Sequence, residues 1–388
     1  MENKTVKAIV NANVVLENGI IWDGVILIAG ERILRAGKAA EVEIPEGAQI
    51  IDAKDAYVGP GFVDLHVHGG VGKNTMKDPK EAAEHFLKHG ETTILATCST
   101  KWEYEELMDA IRIVKEGMKT VKTIKGIYME GPYMNPNYGA AKGMITWNKE
   151  IREEEFKPLV DSLGKDVKVF AMAPEREETL LPFLKYAREV NPDVVFSVGH
   201  SEATPEQVRA LGSKYRPKLM THIMNATGRS MKDSGGLRSC GPDEYCMSDP
   251  EMYAELISDS LGVHVRTEMQ RLVLRNKGIE RVVLITDSTA TNNPPPEQYK
   301  HVKDVSFNAL GRISGSKLTM DMACRNIMSH TNCGIAQAFK MASTNPARVI
   351  GMDQEIGSIE PGKLADLVFV DDRFNVKMVM QEGQICQF

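Results

Sequence analysis

An alternation constrains this chain more than any other feature. Beyond Gly59-Pro60-Gly61, short apolar runs recur eight times, at residues 62–67, 93–97, 126–129, 167–172, 194–198, 219–224, 254–257 and 281–286. Amphipathic stretches with helical spacing separate most of them, at 79–89, 102–119, 149–163, 177–190, 205–211 and 267–277. Strand–helix alternation on that scale is what a (β/α)8 TIM-like barrel, an α/β fold of about 250 residues, requires. An open doubly wound sheet competes with it, but that architecture wants a glycine-rich phosphate loop after its first strand. Here the segment reads His68-Gly69-Gly70-Val71-Gly72, in a histidine context, and the barrel is preferred.

The two ends of the chain differ from this core. Residues 1–58 carry short β-rich runs with turns at Asn18-Gly19 and Gly30-Glu31. The tail returns to β character at 365–370, 376–380 and 384–387, with turns at Pro361-Gly362 and Glu382-Gly383. Neither end alone buries much apolar area. The economical division is a barrel over 59–344 and a small β-sandwich domain built from both chain termini, 1–58 and 345–388.

Composition narrows the function classes. A net charge of −6 with scattered basic residues gives no reason to expect a nucleic-acid partner. No stretch approaches the roughly 20 apolar residues of a membrane span, and Met1 to Lys7 offer no signal core. The expectation is a cytoplasmic protein whose six cysteines, lacking any CxxC pair, are reduced thiols. Cys240 and Cys246 lie close together in a polar stretch and read as loop thiols rather than as a metal pair.

Metal-compatible side chains fall at the ends of the apolar runs. His66 and His68 close the first, Glu130 follows the third, His200 ends the fifth, His222 lies in the sixth and Asp287 ends the eighth. Active sites of TIM-like barrels form at the C-terminal rim from several strand ends, so these six residues would converge there. Side chains at i and i+2 of a strand point the same way, which lets His66 and His68 reach one ion. Taken singly, each has a plainer reading. A strand-end His is more often a hydrogen-bonded structural residue, Glu130 before Gly131-Pro132 can begin a turn, and Asp287 before Ser288-Thr289 can cap a helix. Their shared placement is what chance does not readily arrange. His85, His89, His301 and His330 lack it and read as solvated or packing residues.

Imidazole and carboxylate donors suit a divalent transition metal, zinc first, with iron, cobalt, nickel or manganese as alternatives. A catalytic ion of this kind keeps an open position where water loses a proton near neutral pH. Asp287 is placed to accept that proton as general base and to pass it to a leaving amine.

Several segments carry a family resemblance: 60–69 (Pro-Gly-Phe-Val-Asp-Leu-His-Val-His-Gly), Met129-Glu130-Gly131-Pro132, Gly199-His200-Ser201, Thr221-His222 with Asn225-Ala226, Thr286-Asp287, Gly315-Ser316, Asn345-Pro346-Ala347 and 362–368. In order and spacing the chain, from about residue 50 on, resembles the amidohydrolase superfamily and, within it, the N-acetylglucosamine-6-phosphate deacetylase family. The resemblance implies a barrel flanked by a small β-sandwich, assembled as a homodimer. It implies that Glu130, His200 and His222 hold the principal ion, that Asp287 is the catalytic acid/base, and that His66 and His68 make a second ion possible. Asn225, Ala226 and His264 match positions that contact the sugar or its phosphate, and the backbone at Ile313, Ser314 and Gly315 would line the acetyl-sugar pocket. The implied partner is an amino-sugar phosphate, and the implied reaction is removal of its acetyl group.

Departures from the family pattern cluster in substrate-facing loops and spare the metal-type residues. They fall at Ala140-Ala141-Lys142-Gly143, after Asn225-Ala226, and at Ser288-Thr289-Ala290-Thr291-Asn292. Lys142, Arg229 or Arg238 is a candidate cation for a phosphate, since arginine offers a bidentate fork. Two alternatives stand beside the first reading: the same chemistry on another amide (N-acetylgalactosamine 6-phosphate, an N-acyl amino acid, a cyclic amide), and an inactive barrel scaffold. Retention of every expected metal-type residue weighs against the scaffold.

Overall fold

The computed structural model describes residues 6–98, 102–140, 142, 150–229 and 239–388. Its centre is a parallel eight-stranded sheet: β1 (Phe62–Val67), β2 (Glu91–Thr97), β3 (Ile124–Glu130), β4 (Val167–Met172), β5 (Val195–Val198), β6 (Leu219–Met220), β7 (Tyr253–Ile257) and β8 (Val282–Ile285). Neighbours pair in chain order. The ring closes between β8 and β1, where Asp287 N–H donates to the His66 carbonyl at 2.9 Å and Val67 bridges Ser288. The Asp64 carboxylate reinforces the seam by accepting from the Thr286 hydroxyl at 2.5 Å.

A helix follows each strand: α1 (Pro79–Lys88), α2 (Tyr104–Met118), α3 (Glu153–Leu163), α4 (Leu181–Val190), α5 (Pro205–Ala210), α6 (Pro242–Ser248), α7 (Thr267–Lys277) and α8 (Met320–Thr331). Their apolar residues recur at helical spacing, as Leu107, Ala110, Ile111 and Val114 do in α2, and these bury against the outside of the sheet. Local signals set the boundaries. Pro79 opens α1 where its missing N–H costs nothing. Thr204 and Gln207 exchange side-chain and backbone hydrogen bonds in a capping box that starts α5.

Three local expectations change. The run at 219–224 stops being a strand after Met220, so His222 stands just beyond β6 rather than within it. The stretch at 177–190 becomes regular α-helix only from Leu181, after a 3-10 segment at Pro174–Thr179. The supposed polar loop around both thiols contains α6, which buries Cys246 with its Sγ 3.7 Å from the Tyr253 carbonyl, while Cys240 is exposed. The two thiols therefore belong to different environments.

The chain ends share one sheet, ordered Gln384–Ile385, Val376–Gln381, Leu367–Val370, Tyr57–Pro60, Val6–Leu16, Gly19–Ala29, Arg32–Lys38, with Gln49–Asp52 alongside Val6–Leu16. Leu367–Val370 lies antiparallel to Tyr57–Pro60, the strand that leads into β1. Ile9, Val14, Ile26, Val58, Leu367 and Phe369 pack together there. The small domain thus anchors the base of the first barrel strand. Among the described residues, no helix is long and apolar enough to cross a membrane.

Candidate active site and metal centre

Six metal-type side chains from five strand ends meet at one rim, in two groups of three: Glu130, His200 and His222, and His66, His68 and Asp287. In the first group, His200 Nε2 lies 2.8 Å from Glu130 Oε1, His222 Nε2 lies 3.1 Å from the same oxygen, and the two ring nitrogens are 3.1 Å apart. In the second, His68 Nε2 is 3.3 Å from Asp287 Oδ1 and His66 Nε2 is 3.8 Å from it. Glu130 reaches both groups, since its Oε2 lies 3.2 Å from His68 Nε2. The first-strand histidines, legible as a pair at i and i+2, do face the same carboxylates.

The strand ends turn in a particular way. His200, His222 and Asp287 have positive φ values of 45°, 27° and 47°, and Ala226 has 52°. Non-glycine residues enter this left-handed region at a cost of about 1–2 kcal/mol each, and such residues gather where a site demands them. Two glycines make room for the result. A Cβ on Gly139 would stand 2.3 Å from the His200 ring, and one on Gly315 would stand 2.4 Å from the Asp287 carbonyl.

Hydrogen bonds orient the rings. His222 Nδ1 faces the Asn225 carbonyl at 3.1 Å, which can only accept, so the neutral ring carries its proton there and turns the Nε2 lone pair inward. His66 Nε2 is buried and has no hydrogen-bond partner among the described residues. Lone pairs crowded about 3 Å apart and an orphaned ring nitrogen are costly in a dry site and natural around a cation. A tetrahedral ion with bonds of about 2.0–2.1 Å needs ligand atoms roughly 3.3 Å apart. The residues fit a metal.

The charges agree. Burial alone would raise the Glu130 carboxyl, but His200, His222 and His66 outweigh it and hold the group well below the usual carboxylate range. Asp287 behaves likewise: burial opposes ionisation, His68 and His66 favour it, and the net direction is down. Conversely, burial disfavours the His68 imidazolium, yet Asp287 and Glu130 push that ring up to about 9. The rim is built to concentrate positive charge.

Above the donors opens a cavity of ≈ 340 Å³. His68, Glu130, His200, His222 and Asp287 line it, as do Asn225, Ala226, Ile313, Ser314 and Gly315, all singled out from sequence. His264 is buried beside this wall, with Nδ1 3.0 Å from Asp259 and Nε2 3.1 Å from the Gly315 carbonyl, while its own carbonyl accepts from Asn225. The candidate cations stand elsewhere. Arg229 is exposed and paired with Glu244, Lys142 is exposed and outside the lining, and Arg238 lies outside the described residues. Arg312, which sequence reasoning passed over, is the Lys or Arg side chain that lines the cavity among the described residues. Its position just before the Ile313–Ser316 strand was the available signal. Glu255 was also missed, although a lone Glu inside the apolar run of β7 was there to be noticed.

A barrel rim with paired His/carboxylate groups defines a class, and the comparisons agree with it: the chain belongs to the amidohydrolase family, whose model it matches over residues 57–386. It is therefore a metal-dependent amidohydrolase, and family and donor groups together support a divalent metal. More particularly, it is similar to the N-acetylgalactosamine-6-phosphate deacetylase of Escherichia coli, at 30% identity over 85% of this chain and 87% of that one. The N-acetylglucosamine-6-phosphate deacetylase of Haemophilus influenzae is 28% identical over 97% and 98% of the two chains. A mutant N-acetyl-D-glucosamine-6-phosphate deacetylase from Mycobacterium smegmatis, solved in complex with N-acetyl-D-glucosamine-6-phosphate, matches with a TM-score of 0.82 at 26% identity, covering 98% and 99%.

Proposed function

We propose that this chain removes the acetyl group from an N-acetylated amino-sugar phosphate, N-acetylglucosamine 6-phosphate first, releasing acetate and the free amine. The observation that carries this reading is the shared floor of the cavity. Glu130 links two donor groups there, Asp287 faces the same space, and Asn225, Ala226 and residues 313–315 form the walls.

Glu130, His200 and His222 hold the principal cation, and His66, His68 and Asp287 hold a second, with zinc as the ion. When bound, the cation supplies positive charge that acidifies a water and polarises the amide carbonyl. Asp287 does the proton work. It takes a proton from the attacking water at Oδ and delivers it to the departing nitrogen. Its backbone is pinned for this, since its N–H donates to His66 and its carbonyl accepts from Ser316 N–H at 2.7 Å. Asn225 and Ala226 face the sugar and phosphate, His264 backs them from behind the wall through its contacts with Asn225 and Gly315, and Ile313, Ser314 and Gly315 bound the acetyl group. Arg312 supplies the phosphate's counter-charge from the cavity wall, with Lys142 and Arg229 farther out.

The test is acetate release by zinc-loaded protein from N-acetylglucosamine 6-phosphate and its galactosamine epimer. Turnover of the first supports the reading. Preference for the epimer, the sugar in the name of the 30% identical relative, keeps the chemistry and changes the sugar. No acetate from either removes the substrate assignment.

A further inference from the structure

The interior of a TIM-like barrel is ordinarily filled by layers of branched apolar side chains. A cluster with members from all eight strands fills this one, among them Leu65, Leu95, Val169, Val195, Leu219, Ile257 and Val283. In β7, Tyr253 and Ile257 join that cluster, while Ala254 and Leu256 pack outward. Glu255, between them in the inward file, is completely buried. Its Oε2 lies 3.2 Å from His66 Nδ1, accepts the His222 backbone N–H at 3.2 Å and accepts the Tyr128 hydroxyl at 3.4 Å. Its Oε1 has no partner among the described residues. Tyr128 is itself held by Thr221 at 2.8 Å, and Thr221 by Ser197 at 2.6 Å. A buried polar group in such a place is costly unless it serves something.

The geometry says what it serves. Oε2 accepts from Tyr128 and from a backbone N–H, so the ring nitrogen beside it is the one that carries hydrogen. That leaves Nε2 as the lone-pair nitrogen of the neutral His66 ring, and Nε2 is the atom turned toward Glu130 Oε1 at 3.7 Å and Asp287 Oδ1 at 3.8 Å. Those separations are too long for hydrogen bonds, and Nε2 is buried without a partner among the described residues. The same carboxylate grips the His222 backbone, so one side chain steadies a histidine from each donor group.

We propose that Glu255 is a positioning residue: it locks His66 as the Nδ1–H tautomer with Nε2 aimed at the rim, and so sets the affinity of the His66, His68 and Asp287 group for a second cation. The inference rests on the metal reading of the rim, and on no assumption about the substrate.

The experiment counts zinc ions per chain at buffered free zinc, for the wild type and Glu255→Gln, by elemental analysis. The wild type should hold two ions. Glu255→Gln should keep the first and bind the second about 10- to 100-fold more weakly, the usual effect of removing a group that orients a metal-bound His. Equal second-ion affinity in the two proteins would overturn the proposal, and so would a wild type that takes one ion at saturation. Long-range 1H–15N NMR of 15N-histidine-labelled wild type needs no variant to fold. In the zinc-loaded protein, hydrogen on His66 Nδ1 with Nε2 bare supports the inference, and hydrogen on Nε2 with Nδ1 bare contradicts it. Acetate release keeps the two claims separate. An active enzyme with unchanged zinc binding in Glu255→Gln loses this inference alone, whereas the expected zinc pattern without acetate loses the substrate reading alone.

Discussion

The barrel rim and the sheet built from the chain ends handle polar groups in opposite ways. In the terminal sheet, left-handed residues such as Asn11, at an irregularity within the strand Val6–Leu16, and Lys54 and Asp55, at a turn, are exposed with their polar groups met by neighbours; Asn11 Nδ2 and Lys54 N–H, for instance, both donate to Asp52. At the rim, His200, His222 and Asp287 take left-handed φ values while buried, and ionisable groups crowd one another. Stability is the business of the first region, where apolar side chains are packed and strain is cheap to relieve. The second region spends stability on geometry, and the lesson is that the expense marks the site.

Substitutions can break this contrast from either side. The largest effect belongs to the rim. Asp287→Asn should lower kcat for acetate release by about 10²- to 10⁴-fold, the range for a general acid/base, while thermal unfolding of the metal-free protein holds steady or improves. A large loss of stability with it would mean that Asp287 is chiefly structural. In the terminal sheet the signs reverse. Phe369→Ala removes a buried ring opposite Val58 and should cost about 3–5 kcal/mol in denaturant unfolding, with kcat per folded molecule unchanged. A selective loss of kcat would show that the two regions are coupled.

Proton traffic sharpens the comparison. With its partners holding it up at about 9, His68 is protonated at pH 7.5 in the metal-free protein, and a metal takes only the neutral ring. Zinc binding at that pH should therefore release protons, fewer as pH rises past 9, which calorimetry in buffers of different ionisation enthalpy would detect. Release that does not diminish above pH 9 would contradict the assignment. The smallest effect is expected at Lys54, exposed with φ of 52°. Lys54→Gly relieves left-handed strain against the added chain entropy and should stabilise by a few tenths to about 1 kcal/mol, with acetate release untouched.

Much of this architecture is legible in the amino-acid sequence, for reasons that separate what was visible from what was not. Buried parallel strands read as continuous apolar runs bounded by turn signals, so β1 and β4 were recognisable at their full extent. The metal-type residues were visible because chemistry restricts the rim to a few residue types at strand ends. α6 was hidden because a helix of seven residues, Pro242–Ser248, carries too little periodicity. The early end of β6 was hidden because Thr221 and His222 continue an apolar run whose backbone turns for the site's sake. Glu255 and Arg312 were missed because a single charge in a strand or loop can be noticed without its role being read; its meaning comes from what lies across the barrel. The adjacency of Leu367–Val370 and Tyr57–Pro60 is likewise a long-range pairing that no local pattern encodes.

Anomalous diffraction at the zinc edge, from crystals grown with zinc, addresses the account at its root. The account predicts a strong peak within bonding distance of Glu130, His200 and His222, and a second beside His66, His68 and Asp287. A rim without a peak in crystals saturated with zinc, or with zinc bound only at surface residues, would contradict it.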